Sequence, residues 1–256
     1  MARVILANGS IYDIVKRLKG KRKLYVINLT SPLKSDFYNP FQNATPTIAK
    51  DMLINMTEWS EEHYKLNTER YLQRLLQLLV ASEIPLSFKS ILAHMGIDQF
   101  ASLSGELQKR GVLTKDEHLA NMEIVKTSGK IAENAVARFS LIAESELGYI
   151  FHETGVDIHT ALEEKAIILF ILNPLIYPEL SPLIGRLILI DSKKAVSKQF
   201  GTNDRTFFIM DEINSHASPV LIDLVNKSRS ANVTCVLSTQ SLSNIRNDLP
   251  TATKGA

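Results

Sequence analysis

Two adjacent carboxylates, Asp211 and Glu212, close a short apolar run, Thr206–Met210, inside the stretch RTFFIMDEINSHASPVLIDLVNKSRSANVTCVLSTQSL at positions 205–242. An acid pair at a strand tip suits nucleotide chemistry. One carboxylate can hold a divalent cation through its water shell while the next polarises an attacking water. The run itself is continuously apolar, the pattern of a strand buried on both faces, and its carboxyl end is where an open parallel sheet keeps its ligand crevice. A plain loop that begins with two acids would look the same over so few residues, so the sequel has to decide. Val220, Leu221, Leu224 and Val225 recur at helical spacing within residues 219–230, and NVTCVLS follows as a second strand within residues 231–238. That strand ends in Ser238, Thr239 and Gln240. Strand, acid pair, helix, strand and polar tip make a βαβ unit with two reactive tips on one edge.

The elements that must position this unit are legible on either side of it. Residues 3–6, RVIL, read as a short strand, with a turn at Asn8-Gly9 and a helix over 11–19 that Gly20 stops. LYVINL at 24–29 is the next strand, and residues 30–40 form a loop ending in YNPF. From about residue 42 to 160 the periodicity turns helical. Leu72, Leu75, Leu76 and Leu79 follow the i, i+3, i+4, i+7 rule, and Phe100, Leu103 and Leu107 do so before Gly111. Residues 86–113 read as helix, glycine turn, helix, glycine stop, which a helix-turn-helix or any small bundle produces. KAIILFIL at 165–172 returns as a buried strand, a proline-rich turn spans 173–182, and a helix is expected over 183–200.

Composition bounds the class. The chain has 256 residues, 45% hydrophobic and 22% charged, a balance that supports a sizeable core. Its single cysteine, Cys235, falls in an expected buried strand and has no partner for a disulfide, which fits a reducing compartment. The longest apolar run, residues 166–172, is far short of the roughly 20 residues of a membrane span, so the chain is expected to be soluble. Net charge is +2 but uneven: residues 1–34 hold eight Lys and Arg against one acid, and residues 42–160 hold eleven against sixteen. The basic cluster KRLKGKRK at 16–23 is either a phosphate-contacting patch or solvated surface. The acidic middle argues against duplex binding there, because that affinity comes from Lys and Arg on phosphates. The six histidines lack metal-ligand spacing and are expected to be structural or surface residues.

FFIMDE, KSRSANVTCVLSTQS and, near the start, KLYVINLTSPLKSDFYNPF occur in the order seen in the coupling ATPases of bacterial conjugation and type IV secretion. The chain resembles this TraG/TraD-like branch of the FtsK-like motor superfamily. The resemblance covers the ATPase parts, and the middle only by position and helical character. It implies an α/β fold, part of a RecA-like P-loop NTPase core built from residues 1–41 and 161–256, with an inserted all-helical domain at 42–160. It also implies the ligands ATP and Mg²⁺, with Asp211 in the Mg²⁺ water shell, Glu212 on the attacking water, and Ser238 and Gln240 sensing the γ-phosphate. Arg229 is a candidate arginine finger reaching an adjacent subunit, or else a surface arginine at a helix carboxyl end. The implied partners are DNA, relaxase and relaxosome proteins, and the secretion channel, in a homo-hexamer at the cytoplasmic side of the membrane.

Two departures from the family pattern stand out, the first bearing on a phosphate or nucleic-acid role for the first turn and the second on catalysis. The family's first turn carries an acidic-Pro-Lys-Gly signature where this chain has Leu6-Ala7-Asn8-Gly9, and no G-x-x-x-x-G-K-[ST] loop occurs. Without that loop the β- and γ-phosphates lack their usual cradle, so the chain alone is expected to hydrolyse ATP poorly, as a piece of a longer motor. The alternative is a degenerate ATPase or recognition module that binds relaxosome proteins or DNA through its helical block. A metal-dependent hydrolase built on Asp211 and Glu212 is disfavoured, because the histidines, His216 included, lack metal-ligand spacing.

Overall fold

Short apolar runs separated by helices have to bury both faces, and parallel pairing with helical crossovers does this. A computed structural model of the protein describes residues 2–7, 11–59, 61–212 and 219–239. In chain order its elements begin with β1 (Ala2–Ala7), α1 (Ile11–Leu18) and β2 (Leu24–Asn28). A helical series follows: α2 (Pro46–Asn55), α3 (Glu62–Ala81), α4 (Phe88–Ala93), α5 (Ile97–Lys109), α6 (Lys115–Thr127) and α7 (Gly129–Ala143). The chain then runs through α8 (Ile158–Glu163), β3 (Ile167–Ile171), α9 (Leu180–Ser197), β4 (Thr206–Met210), α10 (Pro219–Ser228) and β5 (Val233–Leu237). Contacts divide it into two compact units, residues 1–36 with 156–256, and residues 37–155.

The first unit is a parallel sheet in the order β2-β3-β1-β4-β5. Every residue of the interior strand β3 is buried, as its unbroken apolar run requires. For β4 the expectation of burial on both faces fails: burial alternates, with Phe207 and Ile209 only half-buried, so one face of the strand is less covered than the other. Cys235 departs in the same way, lying half-buried on edge strand β5. Helix α9 starts earlier than the proline-rich stretch suggests. Pro182 sits in its first turn, where a missing N–H costs no hydrogen bond.

The two sheet edges differ. At β2 the Asp36 backbone N–H donates to Val26 O (2.9 Å), the Val26 N–H donates to Asp36 Oδ2 (2.6 Å), and the Asn28 N–H donates to Ser35 Oγ (3.0 Å). That edge is blunted by its own loop. The outer edge of β5 has no strand partner among the described residues, and Val236 and Leu237 are exposed there.

A buried charge triad ties α8 to α9. Asp157 caps α8, its Oδ1 accepting from the Thr160 N–H (2.8 Å), while Lys194 Nζ reaches Asp157 Oδ2 (2.9 Å) and Asp191 Oδ1 (2.8 Å). Asp191 Oδ2 accepts from the Ile158 N–H at 3.0 Å. The Lys194 side chain is 3% exposed and both carboxylates 0%. Burial, opposed by Lys194 and reinforced by Asp157, pushes the Asp191 carboxyl above its ordinary range. Burial would also raise Asp157, but Lys194 and Thr160 hold it below. Burial would lower Lys194, and the two carboxylates hold it above.

The second unit is helical, with no strand among its described residues. The residues 86–113 pattern resolves as α4, a turn with Gly96 as the cap of α5, and α5 itself. Serine and threonine capping boxes at Ser87 and Thr114 start α4 and α6. The YNPF segment is an anchor as well as a loop. Tyr38 and Phe41 are buried, and Asn39 Nδ2 donates to Leu86 O (2.9 Å) and Glu153 O (3.2 Å). Phe88 meets both Phe41 and Phe151 edge-on, with centroids 5.0 and 5.1 Å apart. Gly155 lies against this anchor, and a Cβ there would come within 2.4 Å of Tyr38 C and 2.6 Å of Asn39 N. Backbone cannot yield as a side chain does, so Gly155→Ala is expected to destabilise the protein by about 1–3 kcal/mol. Gly129, with open space at its Cβ position on α7, is the control. Gly129→Ala is expected to be neutral or to stabilise by up to about 1 kcal/mol. Denaturant melts of the two variants check both, and equal midpoints would refute the contact at Gly155.

Candidate functional site

Parallel register brings the tips of β1, β4 and β5 level. Met210 pairs with Leu6 on one side and Leu237 on the other. The ladder runs one residue further: the Asp211 N–H donates to Leu6 O (2.9 Å) and the Ser238 N–H donates to Met210 O (2.9 Å). Asp211 and Ser238 therefore emerge side by side at the carboxyl edge of the sheet. The Ser238 hydroxyl donates to Asp211 Oδ1, and the Glu212 N–H donates to Asp211 Oδ1 (3.1 Å) and Ser238 Oγ (3.3 Å). Among the described residues the bonds on the Asp211 carboxylate all fall on Oδ1, so Oδ2 is the oxygen a hydrated cation would meet. Asp211 is half-buried, whereas Glu212 and Ser238 are exposed.

Glu212 adopts φ 52°, in the left-handed region that L-residues other than glycine, asparagine and aspartate seldom occupy. Such strain costs of the order of 1 kcal/mol and gathers at functional sites, where surrounding bonds hold it. Here the holding bonds are those from the Glu212 N–H to Asp211 and Ser238.

A carboxylate beside a hydroxyl is an oxygen donor set of the kind Mg²⁺ takes, and Mg²⁺ commonly binds through one or two carboxylates while keeping several waters. The site fits such an ion held through water. Among the described residues no three His, Cys, Asp or Glu side chains gather into a closed metal cage.

The fold brings Asp211, Glu212 and Ser238 together and sets Arg229 apart. Arg229 opens a 3₁₀ turn, Arg229–Ala231, ahead of β5, exposed and at the opposite end of that strand from Ser238. Five strand residues put roughly 17 Å between the two ends. Gln240 lies outside the described residues, as do His216 and the Asn8-Gly9 turn. In the basic cluster, Lys19 Nζ donates to Arg22 O (3.3 Å) and Lys23 pairs with Glu164 at 3.1 Å, so part of that charge has local partners. What sequence reading missed is the tip of β1. Leu6 supplies the carbonyl that orients Asp211, and only strand pairing across the sheet reveals it.

No protein-family model matches the chain, and no curated protein sequence matches it. Solved structures do. The bacterial conjugative coupling protein TrwBdeltaN70, in a trigonal form with sulphate, superposes with a TM-score of 0.58 at 14% identity, over 96% of this chain and 65% of that one. The plasmid coupling protein TrwB in complex with ADP and Mg²⁺ gives 0.57 at 14% identity, again over 96% and 65%. VirB4 of Thermoanaerobacter pseudethanolicus gives 0.52 at 14% identity with the same coverage. The chain thus spans 65% of the length of these proteins. At such identity the likeness speaks to architecture, and the chain carries the RecA-like P-loop NTPase fold that these coupling proteins and VirB4 share.

Proposed function

We propose that the chain is part of a DNA-translocating coupling ATPase of conjugation or type IV secretion, which links a DNA-processing complex to the transfer channel by ATP-driven pumping. The observation that carries this reading is the Asp211, Glu212 and Ser238 constellation at the level tips of β4 and β5, in a fold shared with nucleotide-bound TrwB. Bound ATP with Mg²⁺ would supply the phosphoryl group and the charge neutralisation. Asp211 Oδ2 would then face the water shell of the ion, and Ser238 holds Asp211 through Oδ1. Glu212 would accept a proton from the attacking water. Ser238 and Gln240 would report the state of the γ-phosphate from the neighbouring tip. Arg229, remote from its own acid pair, would serve an adjacent subunit in a homo-hexamer.

The strand and loop that cradle the phosphates would pair along the open outer edge of β5, where exposed Val236 and Leu237 await cover. DNA, relaxase and relaxosome proteins and the secretion channel are the partners this role requires, with the assembly at the cytoplasmic side of the membrane. Among the described residues no helix is long and apolar enough to cross a membrane. A longer protein that includes a phosphate-binding strand is expected to hydrolyse ATP faster when DNA is added, measured by phosphate release. Turnover indifferent to DNA would argue for a binding role in its place.

A further inference from the structure

Within the helical unit, α3 and α7 enclose a cleft of about 490 Å³ lined by Trp59, Tyr64, Ile131, Ala137, Arg138 and Leu141, among others. Its floor is pre-set. Trp59 Nε1 donates to Ile54 O (2.8 Å), and the Arg138 guanidinium lies 4.4 Å from the Trp59 ring centroid and donates to Glu58 O (2.7 Å). Tyr64 is 46% and Leu141 57% exposed, so large apolar groups face solvent beside an aromatic and an arginine. Tryptophan, tyrosine and arginine in a preformed groove are the residue types that carry binding energy at protein interfaces.

The surrounding charge selects the occupant. Glu58 precedes Trp59, Glu61 lies one turn before Tyr64, Glu133 precedes Asn134, and Glu144 lies one turn after Leu141; all four are exposed, as is Glu62. The cations beside them are Lys65, Lys130 and Arg138, and the whole unit, residues 37–155, holds eleven Lys and Arg against fifteen Asp and Glu. A polyanion would be repelled by this rim, so stacking of nucleic-acid bases on Trp59 and Tyr64 is disfavoured. A groove between two helices takes a third helix through apolar residues at i, i+3, i+4 and i+7. We propose that this cleft binds an amphipathic helix of a partner protein whose apolar stripe is flanked by Lys or Arg. The site is separate from the acid pair of the sheet unit, and its test does not depend on nucleotide.

Trp59 is the only tryptophan of the chain, so its emission reads the site directly. The full chain is titrated with three probes: a 16-residue Leu/Lys amphipathic peptide, its Leu/Glu counterpart, and a poly-dT oligonucleotide. The Leu/Lys peptide is expected to give a saturable shift in Trp59 emission. Its affinity is expected to fall at least tenfold in Tyr64→Ala/Leu141→Ala and at least tenfold in Glu133→Lys/Glu144→Lys, all at exposed positions. Circular dichroism of each variant checks that folding is intact. No saturable shift, equal affinity for the Leu/Glu peptide, unchanged affinity in both double variants, or displacement by the oligonucleotide would each overturn the proposal.

Discussion

Glu212→Gln, introduced into a longer protein that supplies the phosphate-binding strand, is expected to bind ATP with unchanged affinity and to lose turnover by about 10²- to 10⁴-fold. That range is what removal of a positioned general base typically costs. The effect should fall on turnover, because the Glu212 N–H, pinned by Asp211 Oδ1 and Ser238 Oγ, remains in the variant and so does the clamp on Asp211. Glutamine keeps the shape and the hydrogen-bonding of the side chain but accepts no proton at neutral pH. Asp211→Asn is expected to behave differently, weakening nucleotide binding specifically when Mg²⁺ is present. Titration with a fluorescent nucleotide, with and without Mg²⁺, separates the two. Equal turnover in wild type and Glu212→Gln would remove Glu212 from the proposed chemistry while leaving the fold assignment untouched.

Lys194→Met is expected to lower stability by about 3–5 kcal/mol at pH 7, the usual cost of removing one partner from a buried ion pair. Methionine fills much of the lysine volume, so the loss reports charge and hydrogen bonding more than a cavity. The pH dependence should distinguish the two chains. In the native protein Asp157 titrates below its ordinary value, so its contribution is present above the unfolded carboxylate pKa of about 4 and disappears as pH falls through the depressed folded value. Lys194 titrates above its ordinary value, so its contribution is full below the unfolded pKa of about 10.4 and is lost as pH rises through the folded value. Asp191 runs the other way. Its raised value means the fold prefers the protonated acid, so stability is gained as pH falls from above that value toward about 4. Without Lys194 both carboxylates are buried and uncompensated, and both then follow the Asp191 pattern. The deficit of Lys194→Met should therefore shrink as pH is lowered from 7 toward 5 in denaturant melts. A deficit below about 1 kcal/mol at pH 7, or one that grows on acidification, would show that the triad does not act as a charged unit.

Much of this molecule follows from local pattern alone. The five apolar runs become the five strands within a residue or two, because a chain segment that apolar and that short has no other stable use beside helical crossovers. The leucine spacing of 72–79 becomes the buried face of α3, and the Gly96 punctuation becomes the cap between α4 and α5. The acid pair is legible as a strand-tip position since DE directly follows a strand, and the βαβ unit puts Ser238 on the same edge, where the strand register has it.

Other features depend on residues far apart in sequence. That Asp211 is oriented by Leu6, about two hundred positions earlier, and clamped by Ser238, follows from strand order and register, which apolar pattern does not encode. The left-handed backbone of Glu212 is sustained by those same bonds, so no local propensity announces it. No local pattern marks Asp157, Asp191 and Lys194 as a buried triad; the packing of α8 on α9 excludes water from all three. The difference between a blunted β2 edge and an open β5 edge likewise belongs to the assembled sheet. The sequence by itself determined which segments are strands and helices and where the acids fall along them, because periodicity and turn chemistry act over a few residues. Only the tertiary structure decided which acids share a tip, which charges lose water and which arginine stands apart, because those depend on which distant strands and helices pack side by side.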